Sequence, residues 1–176
     1  MYVNAKRMAF LGLLLAVTVI LVILGGVLEL NTLFFMAAAS FGVGIAIREC
    51  GLRLGFAFFV ASVLLSLMIV PNKFYCITFI AMSLYVLIIE WAWEKLTYVK
   101  WCHNKNILLW VVKYLTFNII YLPMLFVFPK LIYPGTINSY LLLALIVGGQ
   151  AAVFIYDKAY NYFQSTIWGK FRGRLL

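Results

Sequence analysis

The chain has 176 residues, 66% of them hydrophobic and 11% charged, with a mean hydropathy of +1.07. A soluble domain carries about 45–50% apolar and about 25% charged residues, so this composition excludes an ordinary water-soluble fold, and disorder with it. Fourteen Lys and Arg against five Asp and Glu leave a net charge of +9. In a lipid-embedded chain that excess reports orientation against anionic headgroups, and nucleic acid is not expected as a partner.

At roughly 20 residues per crossing there is room for about six spanning helices. Polar punctuation divides the chain accordingly. The first predicted helix covers 8–28 and stops at Glu29-Leu30-Asn31. The second covers 32–47 and ends at the charged stretch from Arg48 to Arg53. The third covers 54–70 and is broken by Pro71-Asn72-Lys73. The fourth covers 74–93, before a polar stretch from Glu94 to Lys105. The fifth covers 106–128 and is followed by a loop with Pro134-Gly135 as its turn. The sixth covers 138–163, with a basic tail over 164–176. The second helix is short for a crossing, so it tilts little or begins below the surface. Continuous rather than alternating apolar runs argue against a closed β-barrel. Lys6-Arg7 gives the first helix a basic start, but its apolar core is longer than a signal core of about 7–15 residues. No small-residue cleavage site follows near Gly25-Gly26, so the helix is read as retained. The expected fold is an all-α integral membrane protein, a six-helix bundle forming a single transmembrane domain over 1–176.

The cations set the expected orientation. With the amino terminus in the cytoplasm, inner segments hold Lys6, Arg7, Arg48, Arg53, Lys95, Lys100, Lys105, Lys170, Arg172 and Arg174, whereas outer loops hold only Lys73 and Lys130. This bias and an even number of crossings place both termini in the cytoplasm. No internal repeat, low-complexity tract or interdomain linker is visible.

Catalytic sets are poor. His103 is the one histidine and falls in an inner loop; Glu29, Glu49, Glu90, Glu94 and Asp157 lack metal-ligand spacing; no glycine loop suits a phosphate. Cys50, Cys76 and Cys102 are too few and scattered for a disulfide framework or a metal site. The chain is read as a non-enzyme with neither metal nor cofactor.

Within the spans, Lys113 and Asp157 lie at similar depth, roughly 10 Å from the inner ends of the fifth and sixth helices. An unpaired charge there is costly, so a buried ion pair between them is expected, either as a coupling element or as a purely structural contact. Glu90 sits near the inner end of the fourth helix. Asn118 and Gln150 share a mid-membrane level, where they either bond each other or floor a ligand cavity. At the outer ends, Glu29, Asn31, Thr32, Asn72, Lys73, Tyr75, Thr78, Tyr121, Tyr133, Asn138 and Tyr140 combine aromatic walls with polar groups. They fit a small-molecule pocket or an interfacial belt, the belt being the simpler reading for Tyr133 and Tyr140. The pocket candidates are Asn31, Asn72, Lys73, Tyr75, Thr78, Tyr121, Asn118 and Gln150. At the inner face, Trp91, Trp93, Tyr98, Trp101 and Trp110 flank Lys95, Lys100 and Lys105. The tail from Trp168 to Arg174 repeats the mix as an anchor on anionic lipid.

The first helix carries small residues about one turn apart at Ala5, Ala9, Gly12 and Ala16, a spacing that lets another helix approach closely. That helix belongs either to a partner or to the same chain. Gly42 with Ala46 and Gly148 with Ala152 read as internal packing.

Six helices, about 20 kDa, termini inside and this stripe together resemble the substrate-binding S components of energy-coupling factor (ECF) transporters. Pro71-Asn72-Lys73, Glu90 to Glu94, Lys113 to Asn118 and Phe154-Ile155-Tyr156-Asp157 are similar to a group of small bacterial membrane proteins with that organisation. The resemblance implies that Ala5, Ala9, Gly12 and Ala16 contact a transmembrane T component. It also implies capture of a micronutrient at the outer face and energy supplied by partner ATPases, since the chain has no nucleotide motif. The cell-shape protein MreD is similar in size and organisation, which implies a scaffolding alternative without a transported ligand.

Overall fold

The computed structural model describes residues 5–28, 31–98, 105–127 and 139–170. Helix fills them except at short turns, and no strand occurs among them. The helices are α1 (Ala5–Leu28), α2 (Thr32–Cys50), α3 (Leu52–Ile69), α4 (Lys73–Tyr98), α5 (Lys105–Val127) and α6 (Ser139–Tyr162), the last running into a π-helical segment, Phe163–Trp168. Six helices among the described residues are long and apolar enough to cross a membrane. Lipid offers no partner for a backbone N–H or C=O, so a continuously apolar run closes its hydrogen bonds internally as helix. The chain is thus an all-α membrane protein with several crossings.

The helix ends differ from the predicted ones where charge was taken as punctuation. Arg48 and Glu49 stay inside α2, which gains a turn and ends at Cys50. The 26 residues of α4 run on past Trp93 to Tyr98, about 39 Å at 1.5 Å per residue, beyond a hydrocarbon core of about 30 Å. Its exposed Glu94, Lys95 and Thr97 therefore belong to the headgroup zone. Helix also continues beyond Phe163 through the π segment to Lys170, so the first residues of the basic tail are helical.

The chain divides into two compact units, Met1–Lys105 with α1 to α4 and Asn106–Leu176 with α5 and α6. In the first unit α2 is the centre post. Residues 39–47 are buried all the way round, enclosed by α1, α3 and α4. Gly51 makes the reversal from α2 to α3 with φ +86°, a conformation glycine adopts without strain; its N–H closes on the Ile47 carbonyl at 2.8 Å. Close approach follows at Gly55, where a Cβ would stand 2.9 Å from the Ile47 Cα.

Two apolar clusters fill the unit. At the α3–α4 end, Val22, Met36, Ala39, Val70, Cys76 and Phe79 pack with Tyr75 and Leu67. At the α2–α3 end, Val43, Ala46, Ile47 and Phe58 pack with Leu11, Leu14 and Leu15.

Candidate functional site

The residues singled out at the α3–α4 end are committed to the turn. Val70 leaves α3 in extended geometry and Pro71 keeps the chain from resuming the helix. The Lys73 ammonium donates to the carbonyls of Leu67 and Val70, the latter at 2.9 Å, and so satisfies the last turn of α3. The Asn72 side-chain oxygen accepts the Phe74 N–H at 3.1 Å and its backbone carbonyl accepts the Tyr75 N–H at 3.3 Å, which starts α4. Tyr75 is half-buried on the apolar cluster. The Thr78 hydroxyl bonds back to the Phe74 carbonyl at 3.5 Å. Asn31 is exposed before α2 and makes no side-chain cap. Beside the turn lies an open hollow of about 490 Å³ lined by Pro71, Asn72, Lys73, Phe74 and Ile77.

Asn118, Tyr121 and Gln150 belong to the second unit, where they join α5 to α6. Gln150 donates to the Asn118 side-chain oxygen at 2.7 Å, and the Asn118 amide donates to the Tyr114 carbonyl at 2.9 Å. The Tyr121 hydroxyl donates to the Leu145 carbonyl at 2.9 Å. Gly149 makes room for that ring, since a Cβ there would meet it at 2.7 Å. The eight pocket candidates thus fall into two groups, one in each unit.

Lys113 and Asp157 form the third rung of the same seam. The ammonium stands 2.7 Å from one carboxylate oxygen and donates to the other at 2.8 Å, and Asp157 is 3% exposed. Asn161 adds a donor to the carboxylate at 3.1 Å. The ammonium also lies 5.0 Å over the Trp110 ring, which stacks on Phe154. Every charge here has a partner, as burial in lipid requires.

A second ion pair, with its carboxylate buried, escaped the sequence reading. Arg48 on α2 donates through Nε at 2.9 Å and Nη2 at 2.5 Å to one oxygen of Glu90 on α4, which is 5% exposed. The signal was present: Glu90 interrupts the apolar run Leu87-Ile88-Ile89 and needed a cation at its own depth.

The stripe on α1 faces outward. Ala5, Ala9, Gly12 and Ala16 are all exposed, a Cβ on Gly12 would meet nothing within 4 Å, and the buried face of α1 is instead Thr18, Val19, Val22 and Gly25. Gly42 and Ala46 are internal, with a Cβ on Gly42 colliding with the Thr18 hydroxyl. Gly148 and Ala152 correct the expectation of internal packing: both are exposed, because α6 turns its buried face through Gly149, Val153, Asp157 and Tyr160.

Tyr140 is 86% exposed, and Trp91 and Trp93 are exposed as well. Glu29, Lys100, Trp101, Cys102, His103, Lys130, Tyr133, the Pro134-Gly135 turn, Asn138 and the tail from Phe171 lie outside the described residues. Among the described residues no group of three or more His, Cys, Asp or Glu is placed to hold a metal. Comparison with protein-family models, with curated proteins and with solved structures finds no match to this chain.

Proposed function

We propose that the chain is a partner-dependent membrane subunit of the S-component kind: it presents α1 to a T component, receives a small molecule at its outer face and draws its energy from partner ATPases. The observation that supports this reading is the outward stripe of Ala5, Ala9, Gly12 and Ala16. Within lipid, helices gain nothing from hiding apolar surface from each other, so association depends on close backbone packing, and small side chains permit it. A stripe that its own unit leaves uncovered can receive a helix from outside that unit, and on this reading the helix belongs to another chain. The cation distribution supports an orientation with both termini in the cytoplasm, which puts the α3–α4 turn outside; the resemblance to S components implies a bacterial plasma membrane.

A scaffolding role of the MreD kind is the second reading, favoured by a different observation. The α3–α4 end of the first unit is filled by apolar side chains, and Asn72, Lys73, Asn118 and Gln150 already bond to protein groups. Native mass spectrometry of the gently purified protein separates the two. Uptake requires a bound small molecule together with T component and ATPases. Scaffolding requires cell-wall or division proteins and no bound small molecule other than lipid.

A further inference from the structure

The hollow beside the α3–α4 turn has a composition that points to one class of ligand. Its walls are apolar, formed by Pro71, Ile77 and Phe74, the last 55% exposed, and its one charged lining residue is Lys73. The ammonium carries three N–H donors, and the carbonyls of Leu67 and Val70 accept two of them. Those two bonds fix the cation in place and leave the third donor for something outside the fold. Met68 at 82% and Ile69 at 52% exposure are further apolar side chains on the last turn of α3.

We infer that this hollow docks an anionic phospholipid, with the phosphodiester at Lys73 and the upper acyl chain along Phe74 and Ile77. The turn closes two membrane-spanning helices and therefore sits at headgroup depth, where a lipid phosphate is already at hand. A free phosphate would meet the cation but leave the apolar walls uncovered, and a neutral alkyl chain would cover the walls but ignore the cation. A phospholipid satisfies both, and since the one charge in the lining is the Lys73 cation, a lipid whose phosphodiester is not neutralised by its own headgroup cation fits best. The inference stands independently of the uptake or scaffolding role.

The test uses the full chain in a non-ionic detergent, with phosphatidylglycerol or phosphatidylcholine added and adducts counted by native mass spectrometry. The wild type is expected to retain phosphatidylglycerol several-fold better than phosphatidylcholine. Lys73→Gln should hold one phosphatidylglycerol fewer. Ile77→Trp, which fills the hollow and leaves the lysine's bonds alone, should lose that same lipid. Equal retention of the two lipids by the wild type, or undiminished phosphatidylglycerol in the Ile77→Trp protein, overturns the inference. Displacement of the lipid by millimolar inorganic phosphate also overturns it, since the site would then belong to a soluble anion.

Discussion

Lys113 reaches across from α5 to Asp157 on α6 and meets both carboxylate oxygens, at 2.7 and 2.8 Å, with the two side chains 13% and 3% exposed. Two further rungs, Asn118–Gln150 and Tyr121–Leu145 carbonyl, repeat the connection along the same pair of antiparallel helices. Polar pairing thus stitches the second unit at three successive depths.

Removing one member of the ion pair should cost more than removing both. Lys113→Met leaves a buried carboxylate unpaired and is expected to lower stability by about 3–5 kcal/mol, whereas Lys113→Met with Asp157→Leu should recover much of that loss. Asp157→Leu alone should be the milder single change, because the lysine stem can carry its ammonium toward the interface. Unfolding in mixed detergent micelles, analysed as a double-mutant cycle, reads these differences.

The amide rung is worth less. Gln150→Leu is expected to cost about 0.6–2 kcal/mol, and Asn118→Leu a similar amount, with the double variant costing less than the two together. The same unfolding measurement checks both values.

Two glycines should respond oppositely to an added methyl group. Gly55→Ala places a Cβ against the Ile47 backbone and should destabilise the first unit by about 1–3 kcal/mol, since neither helix can yield cheaply. Gly12→Ala meets open space and removes a helix-weakening glycine, so it should raise the melting temperature of the purified protein slightly.

Arg48→Ala should damage the first unit more than Glu90→Gln. The first change takes two hydrogen bonds from a carboxylate that is only 5% exposed, while the second keeps a neutral amide whose oxygen can still accept from the arginine, itself 39% exposed. Comparative thermal unfolding of the two variants decides it.

The crossings themselves were legible, since an uninterrupted apolar run in lipid has no economical structure other than a helix. Lys113 with Asp157 and Asn118 with Gln150 were legible for a related reason: consecutive antiparallel helices keep equal distances from their shared end in register. Arg48 with Glu90 joins α2 to α4, which are not consecutive in the chain, so depth alone did not name the partner. That missing pair also explains why α2 was ended too early, because Arg48 looked like a terminator until its carboxylate was known. The roles of Asn72 and Lys73 were hidden because their acceptors and donors are backbone groups, which every sequence carries alike. The direction of Gly148 and Ala152 was hidden because a small residue suits a buried face and an open one equally.

The most direct test of partner docking through α1 is site-specific photo-crosslinking in cells that also produce T component and ATPases. A photoreactive residue is placed at Gly12, at Ala16 or, as an inward control, at the buried Thr18. The expected result is an adduct with the T component from Gly12 and Ala16 and none from Thr18, with the Gly12 adduct abolished by Ala16→Leu. A chain that accumulates in the membrane yet yields no such adduct from either outward position would contradict the docking role of α1.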